Sequence, residues 1–316
     1  MSPDFKKIIY WLLPIVLILS FSMFLHGRLT NTADSDSFYH IRHAWLYRTA
    51  GVFNSSFPWV QYSVVNKYAA DIWYGFHVGI IPFTAFDDLA TGIKWGALTV
   101  TIIASTLFFL ALLKLKVRWP ILWLGIFLFS SADLLYRLAM LRPHPLSLGL
   151  SMILFAYLSA KETTRTRAIL FAIAAGLSWI HLSLSWMALL IVAVVSTVEF
   201  MQKQEVSGRK YLAVILGLIA GWILRPNPIG AARLAYIQVV KLLFEKQSNI
   251  PLRFGRELTP FVWENFVDQL IPITIIALTA AAFIGWFYWR KTWSASDADT
   301  KGPIISAAAL AGVFFL

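Results

Sequence analysis

Two aspartates two residues apart, then two histidines and an arginine, stand in the stretch NTADSDSFYHIRHAW, Asn31 to Trp45. Carboxylates this close repel each other unless a proton or a cation lies between them. Asp34 and Asp36 are therefore candidates for holding a hard divalent ion, which carboxylates share with phosphate oxygens. The alternative chemistry is general base work by one carboxylate with the other in support. On an extended backbone both side chains point to one side and can address one target. The FYHIRHAWLYR that follows sets His40, His43 and Tyr47 along one side of a helix at three-to-four spacing. The same residues also read as a plain helix start, with Asp34 as N-cap and Asp36 favouring the first turn through the macrodipole.

A second polar cluster lies in SSADLLYRLAMLRPHPLSLG, Ser130 to Gly149. Arg142 and His144 flank Pro143, and the pair could clamp a lipid phosphate, because arginine meets phosphate oxygens with two parallel hydrogen bonds. The plainer reading is a rigid proline break in a helical hairpin, with Arg142 reaching to headgroups. Asp133 and Arg137 are four apart, the spacing of a helix ion pair. His181, in SWIHLSLSW, ends a later apolar run and reads first as a satisfied residue at a helix end.

The elements that must position these groups are apolar. Of 316 residues, 59% are hydrophobic and 14% charged, about half the usual charged share of a soluble domain. That composition predicts an all-α polytopic membrane protein. With no cysteine, disulfides, thiolate metal sites and cysteine nucleophiles are excluded. The formal charge of +11 marks loops rather than a nucleic-acid face, since no basic stretch is continuous. Lys6 and Lys7 precede an apolar run too long for a signal peptide core, and no cleavage site follows, so the run reads as an uncleaved span. Spans are expected at residues 8–25, 93–113, 119–135, 145–160, 168–182, 184–200, 211–224 and 270–289, with a ninth starting near 303. The density of Lys and Arg in KLKVR, KETTRTR, QKQEVSGRK and WRK places those segments and the amino terminus in the cytoplasm. The closing run IISAAALAGVFFL is too short for a comfortable span and has no polar stop, so a larger parent with a further C-terminal part is expected.

Two external loops follow from that topology, at about 27–94 and 225–269. Within the first, DIWYGFHVGIIPF (Asp71 to Phe83) reads as an interfacial helix or re-entrant segment, with Trp73 and Tyr74 at headgroup depth. In the second, RPNPIG marks a span exit and turn, and a helix is expected from Ala231 to Phe244. Arg225, Arg233, Lys241, Lys246, Arg253 and Arg256 make this loop basic on a face where positive charge is normally sparse. They call for an anionic partner: a lipid-linked phosphate, or ordinary anionic headgroups.

DSDSFYHIR after a first span resembles the first external-loop motif of GT-C glycosyltransferases, and is most similar to that of oligosaccharyltransferase catalytic subunits. The resemblance implies a GT-C-like helical bundle of about nine spans with two large extracytoplasmic loops, covering 1–316. It implies transfer of a sugar or oligosaccharide from a polyprenyl-phosphate or -pyrophosphate donor to an acceptor protein, lipid or glycan. Asp36 stands where the family has its catalytic aspartate, with Asp34 in support. A divalent metal, Mg2+ or Mn2+, is implied, with Asp34, Asp36, His144 and Glu257 as its ligands. His40, Arg42, Arg137, Arg142, His144, Arg253 and Arg256 are the implied substrate-binding residues. The family carries a second acidic pair after its third span. Here Arg137 matches the preceding arginine, but no acidic pair follows and His144 stands there instead: either it replaces a carboxylate as metal ligand, where imidazole favours Zn, Fe or Mn over Mg, or no metal is used there. The family's WWDYG acceptor motif is not in this chain. The rival readings are a transporter or flippase-like protein and a non-catalytic subunit of a glycan-assembly complex. Against the transporter, the ionisable clusters gather at one face rather than within the spans.

Overall fold

A computed structural model describes residues 3–28, 34–58, 60–202, 206–242 and 244, which are helical throughout with no strand among them. The elements in chain order are α1 (Pro3–Arg28), α2 (Asp36–Ala50), α3 (Val64–Tyr68) and α4 (Tyr74–Gly79), which runs on into a 3-10 turn, Ile81–Ala85. Then come α5 (Leu89–Lys114), α6 (Pro120–Leu128), α7 (Ala132–Ala139), α8 (His144–Leu158) and α9 (Thr164–Ile180). After a second 3-10 turn, Leu182–Leu184, follow α10 (Trp186–Met201), α11 (Gly208–Ile223) and α12 (Pro228–Tyr236), extended by a π turn, Ile237–Lys241.

Helix starts follow capping chemistry. Asp88 accepts from the Ala90 and Thr91 N–H groups to open α5. Thr163 opens α9, Ser207 opens α11 and Asn227 opens α12 in the same way. Pro120, Pro145 and Pro228 stand in first turns, where a missing N–H costs nothing.

Among the described residues, three helices are long and apolar enough to cross a membrane: Tyr10–Arg28, Leu89–Lys114 and Leu182–Met201. Two bent pairs raise the number to five if each is one span. The first corrects the expected continuous span 119–135. α6 and α7 meet at 83°, because the extended Ser131 turns its hydroxyl to the Leu134 N–H and starts a new helix. The second pair, α11 with α12 and its π turn, bends by 112° at RPNP. α8 and α9 occupy the expected spans 145–160 and 168–182, but with 15 and 17 residues they reach only about 22 and 25 Å, short of a hydrocarbon core of about 30 Å. The expected spans from 270 and 303 lie outside the described residues. The large apolar side chains on the outside of α1, such as Trp11, Met23 and Phe24, fit surroundings of lipid.

α5 packs on α1 and α8, and α9 on α8 and α11. Gly217 and Gly221 lie one turn apart on α11, and a Cβ on either would overlap the carbonyl oxygens of Phe171 or Ala175 on α9. Small residues at this spacing let two backbones touch, a frequent device between apolar helices in lipid. Residues 34–88 do not form an open loop. Ile41 and Ala44 of α2 and Phe76 and Ile80 of the α4 region join Ile93, Ala97, Val100 and Leu141 in one buried cluster. Tyr74, expected at headgroup depth, is instead buried against Tyr47 and Trp179, with Gly75 directly under the Trp179 ring.

Candidate functional site

The carboxylates of Asp34 and Asp36 do address one target, and it is Arg142. The Arg142 guanidinium donates through Nε to Asp34 Oδ2 at 2.6 Å and through Nη2 to Asp36 Oδ2 at 2.8 Å. The convergence does not come from an extended chain. Ser35 between them is already helical and takes the N-cap position, so Asp34 is not the cap, while Asp36 sits in the first turn. Ser37 locks the geometry: its hydroxyl donates to Asp34 Oδ1 and accepts from the Leu141 N–H at 3.0 Å. The prolines that interrupt the helix after Ala139 thus free the Leu141 amide for Ser37 and bring Arg142 beside the start of α2. Asp34 is 5% exposed and Asp36 55%, so the pair has a buried anchor and an accessible partner.

A guanidinium therefore occupies the position expected for a divalent ion. Both carboxylates are committed to Arg142, so Asp34, Asp36 and His144 do not fit a metal as arranged, and no step is routed through one there. His144 stands edge-on to His181 with ring centroids 4.7 Å apart, and His181 Nδ1 shares a proton with the Ser147 hydroxyl at 2.8 Å. Arg137 is exposed and pairs with Asp133 at 2.8 Å, the helix ion pair read from spacing. Arg42 lies on the exposed side of α2 over the Trp45 ring. Lys246, Arg253, Arg256 and Glu257 lie outside the described residues.

Behind the acid pair, the expected stripe of His40, His43 and Tyr47 turns inward, and all three are buried. What meets it is the segment expected to be interfacial or re-entrant. Asp71 Oδ2 accepts from the Tyr47 hydroxyl at 2.8 Å and from His77 Nδ1 at 2.6 Å, with His43 Nε2 at 3.7 Å. Asp71 Oδ1 accepts from the Trp73 N–H at 2.8 Å. On its other side, His77 Nε2 lies 2.8 Å from His40 Nδ1. An ionised carboxylate can only accept, so His77 donates through Nδ1. In a neutral His77 the Nε2 is then the acceptor for His40 Nδ1–H, which leaves His40 Nε2 with a lone pair.

Burial pushes the Asp71 carboxyl up, but His77, His43 and the Tyr47 hydroxyl together hold it below the usual carboxylate range. Burial, then His77, brings His43 down to about 3 against an opposing pull from Asp71. Burial and His77 likewise hold His40 well below its usual value. Burial first and Asp71 second keep Tyr39 and Tyr47 as phenols. With Asp71 held ionised and His40 and His43 held neutral, the cluster sets imidazole lone pairs near one carboxylate. His43 Nε2 or Nδ1, Asp71 and His77 offer three donor atoms within 4.8 Å of one another, all buried.

Arg225, expected to face an anionic partner, is instead a strut. It is buried and donates to the backbone carbonyls of Asp71, Ser178, Gly221 and Trp222 at 2.6–3.2 Å. Sequence reasoning missed the parts played by Asp71, His77, Ser37 and Arg225. The one local signal was a carboxylate and an imidazole six apart in an otherwise aromatic and aliphatic run.

No protein-family model matches the chain, and no curated protein or solved structure matches it.

Proposed function

We propose that the chain is a membrane glycosyltransferase of GT-C-like architecture, with about nine spans, a cytoplasmic amino terminus and its site on the extracytoplasmic face. Its donor is a sugar or oligosaccharide on a polyprenyl phosphate or pyrophosphate. The observation that carries this reading is the Arg142 fork across a buried Asp34 and an exposed Asp36. An arginine already held by one buried carboxylate keeps its orientation when the second partner changes. The donor phosphate competes with Asp36 for Arg142, and Asp34 keeps the guanidinium in place. Asp36, released, accepts the proton of the acceptor's hydroxyl or amide as that atom bonds to the anomeric carbon. The bond from that carbon to the phosphate oxygen breaks, and its electron pair leaves on the phosphate, where Arg142 stabilises the charge. Arg253 and Arg256 are proposed as further phosphate ligands, and His40, Arg42, Arg137 and His144 as groups that orient donor or acceptor.

The test uses the purified full-length protein. Binding of polyprenyl phosphate and pyrophosphate without a sugar is measured first, so that the unknown sugar does not matter. Arg142→Gln is expected to weaken that binding at least tenfold. With a panel of polyprenyl-linked sugars, Asp36→Asn is expected to lower turnover by about 10²–10⁴, the range for loss of a general base, while carrier binding survives. A parent that binds neither carrier, or an Asp36→Asn variant with unchanged turnover, would overturn the proposal.

A further inference from the structure

Ligand chemistry is concentrated most densely in this molecule away from the acid pair. It lies one to two turns further along α2, where His43 meets Asp71 and His77. We infer that His43, Asp71 and His77 form a binding site for one first-row divalent transition ion, of the zinc, manganese or iron(II) class. The inference does not depend on the glycosyltransferase reading.

Four observations carry it. The three donor atoms come within 4.8 Å of one another, and all three residues are buried. Two imidazoles and a carboxylate are nitrogen and oxygen donors of the kind such ions select, and the chain has no thiolate to compete. Two of the three ligands are also gripped from behind, as metal ligands usually are. The Tyr47 hydroxyl and the Trp73 N–H fix the Asp71 carboxylate, and His40 engages the far nitrogen of His77. Last, a crevice of about 10 Å3 opens beside the cluster, lined by Tyr47, Phe57, Asp71, Arg225 and Asn227. That is room for about one water-sized species.

The geometry needs modest adjustment. Donors around a tetrahedral ion at 2.0–2.2 Å stand roughly 3.3 Å apart. The pair at 2.6 Å must open and the pair at 3.7 Å must close slightly. The protons also balance without one leaving the cluster. Ligation through His77 Nδ1 moves that proton to Nε2, which then donates to His40 Nδ1. The His40 proton shifts in turn to its own Nε2. Ion binding therefore turns His40 Nε2 from an acceptor into a donor, one helical turn from Asp36.

The experiment takes the full-length protein in detergent, strips it with EDTA, and titrates it with Zn2+ and with Co2+ as an optical probe. One ion per chain is expected, with visible d–d absorption for Co2+ and a higher thermal midpoint. His43→Gln is the deciding variant, because the Asp71–His77–His40 hydrogen bonds do not pass through His43 and remain to hold the fold. It is expected to weaken binding at least tenfold, and Asp71→Asn and His77→Gln to do so where they fold. Asp36→Asn should bind as the parent does. A parent that takes up no stoichiometric ion overturns the inference, as does His43→Gln binding equally well. Loss of the ion in Asp36→Asn would also overturn it and return the metal to the acid pair.

Discussion

At the Leu158 end of α8 a buried cation is met on all sides. Lys210 donates to the Leu158 carbonyl at 2.6 Å and to Glu199 at 3.1 Å, and the Tyr211 hydroxyl closes on the same carboxylate. At the His144 end of the same helix, Arg142 and the neighbouring histidine cluster also bury charge. There, however, one carboxylate of the acid pair is half-exposed, and three imidazoles surround a single further carboxylate. One end is a staple that joins α8, α10 and α11 with one positive and one negative group. The other gathers His40, His43 and His77 about one carboxylate and sets the Arg142 fork beside them. Buried ionisable groups therefore do not all stand in the same surroundings: at one end a single cation meets a single carboxylate, and at the other a carboxylate lies among imidazoles.

The largest effect expected from this contrast is at the staple. Lys210→Met leaves Glu199 buried without its cation, and breaking such a pair costs about 3–5 kcal/mol. Unfolding of the detergent-solubilised protein would show it, and adding Glu199→Gln should recover a large part. A cost below about 1 kcal/mol would mean that the staple is no staple.

Next in size is the helix contact that carries Arg225 to Asp71. Gly221→Ala drives a methyl into the Ala175 carbonyl and should cost about 1–3 kcal/mol as overpacking. Gly125→Ala, where nothing lies within reach, should be neutral or better. Equal effects at the two positions would deny that α9 and α11 meet backbone to backbone.

The two ends should also differ in acid. His43 falls from 6.5 to about 3 on folding, so between those values the unfolded chain binds the extra proton. Stability at the site end is then present in full above pH 6.5 and is lost as the pH falls towards 3. A slope of up to about 1.4 kcal/mol per pH unit comes from each such group. His43→Phe, which keeps a flat ring against Phe57, should flatten the acid limb of a stability-against-pH curve. An unchanged limb would show that His43 is not held neutral.

The smallest effect is predicted for Asp133→Asn. Its ion pair with Arg137 is exposed on both sides, and surface pairs at this spacing are worth about 0.3–0.5 kcal/mol. A larger loss would give α7 a role that its exposure does not predict.

Much of this was legible in the chain itself. Apolar runs marked the positions of α1, α5 and α8 to α11, because helix length and hydropathy are local properties. Spacing put His40, His43 and Tyr47 on one face and paired Asp133 with Arg137, because a helix repeats every 3.6 residues whatever surrounds it. The proximity of Asp34 and Asp36 asked for a proton or a cation between them, or else marked a plain helix start. Three-dimensional packing alone decided that this cation is Arg142, 108 residues from Asp34, since no local rule sets which distant charge a carboxylate meets. Packing also buried much of 71–83, by closing α2 on one side of it and Trp179 on the other. Arg225 shows the same limit from the opposite direction: its sequence neighbours mark it as a loop cation, and only the approach of α9 and of Asp71, 154 residues away, supplies the carbonyls that bury it.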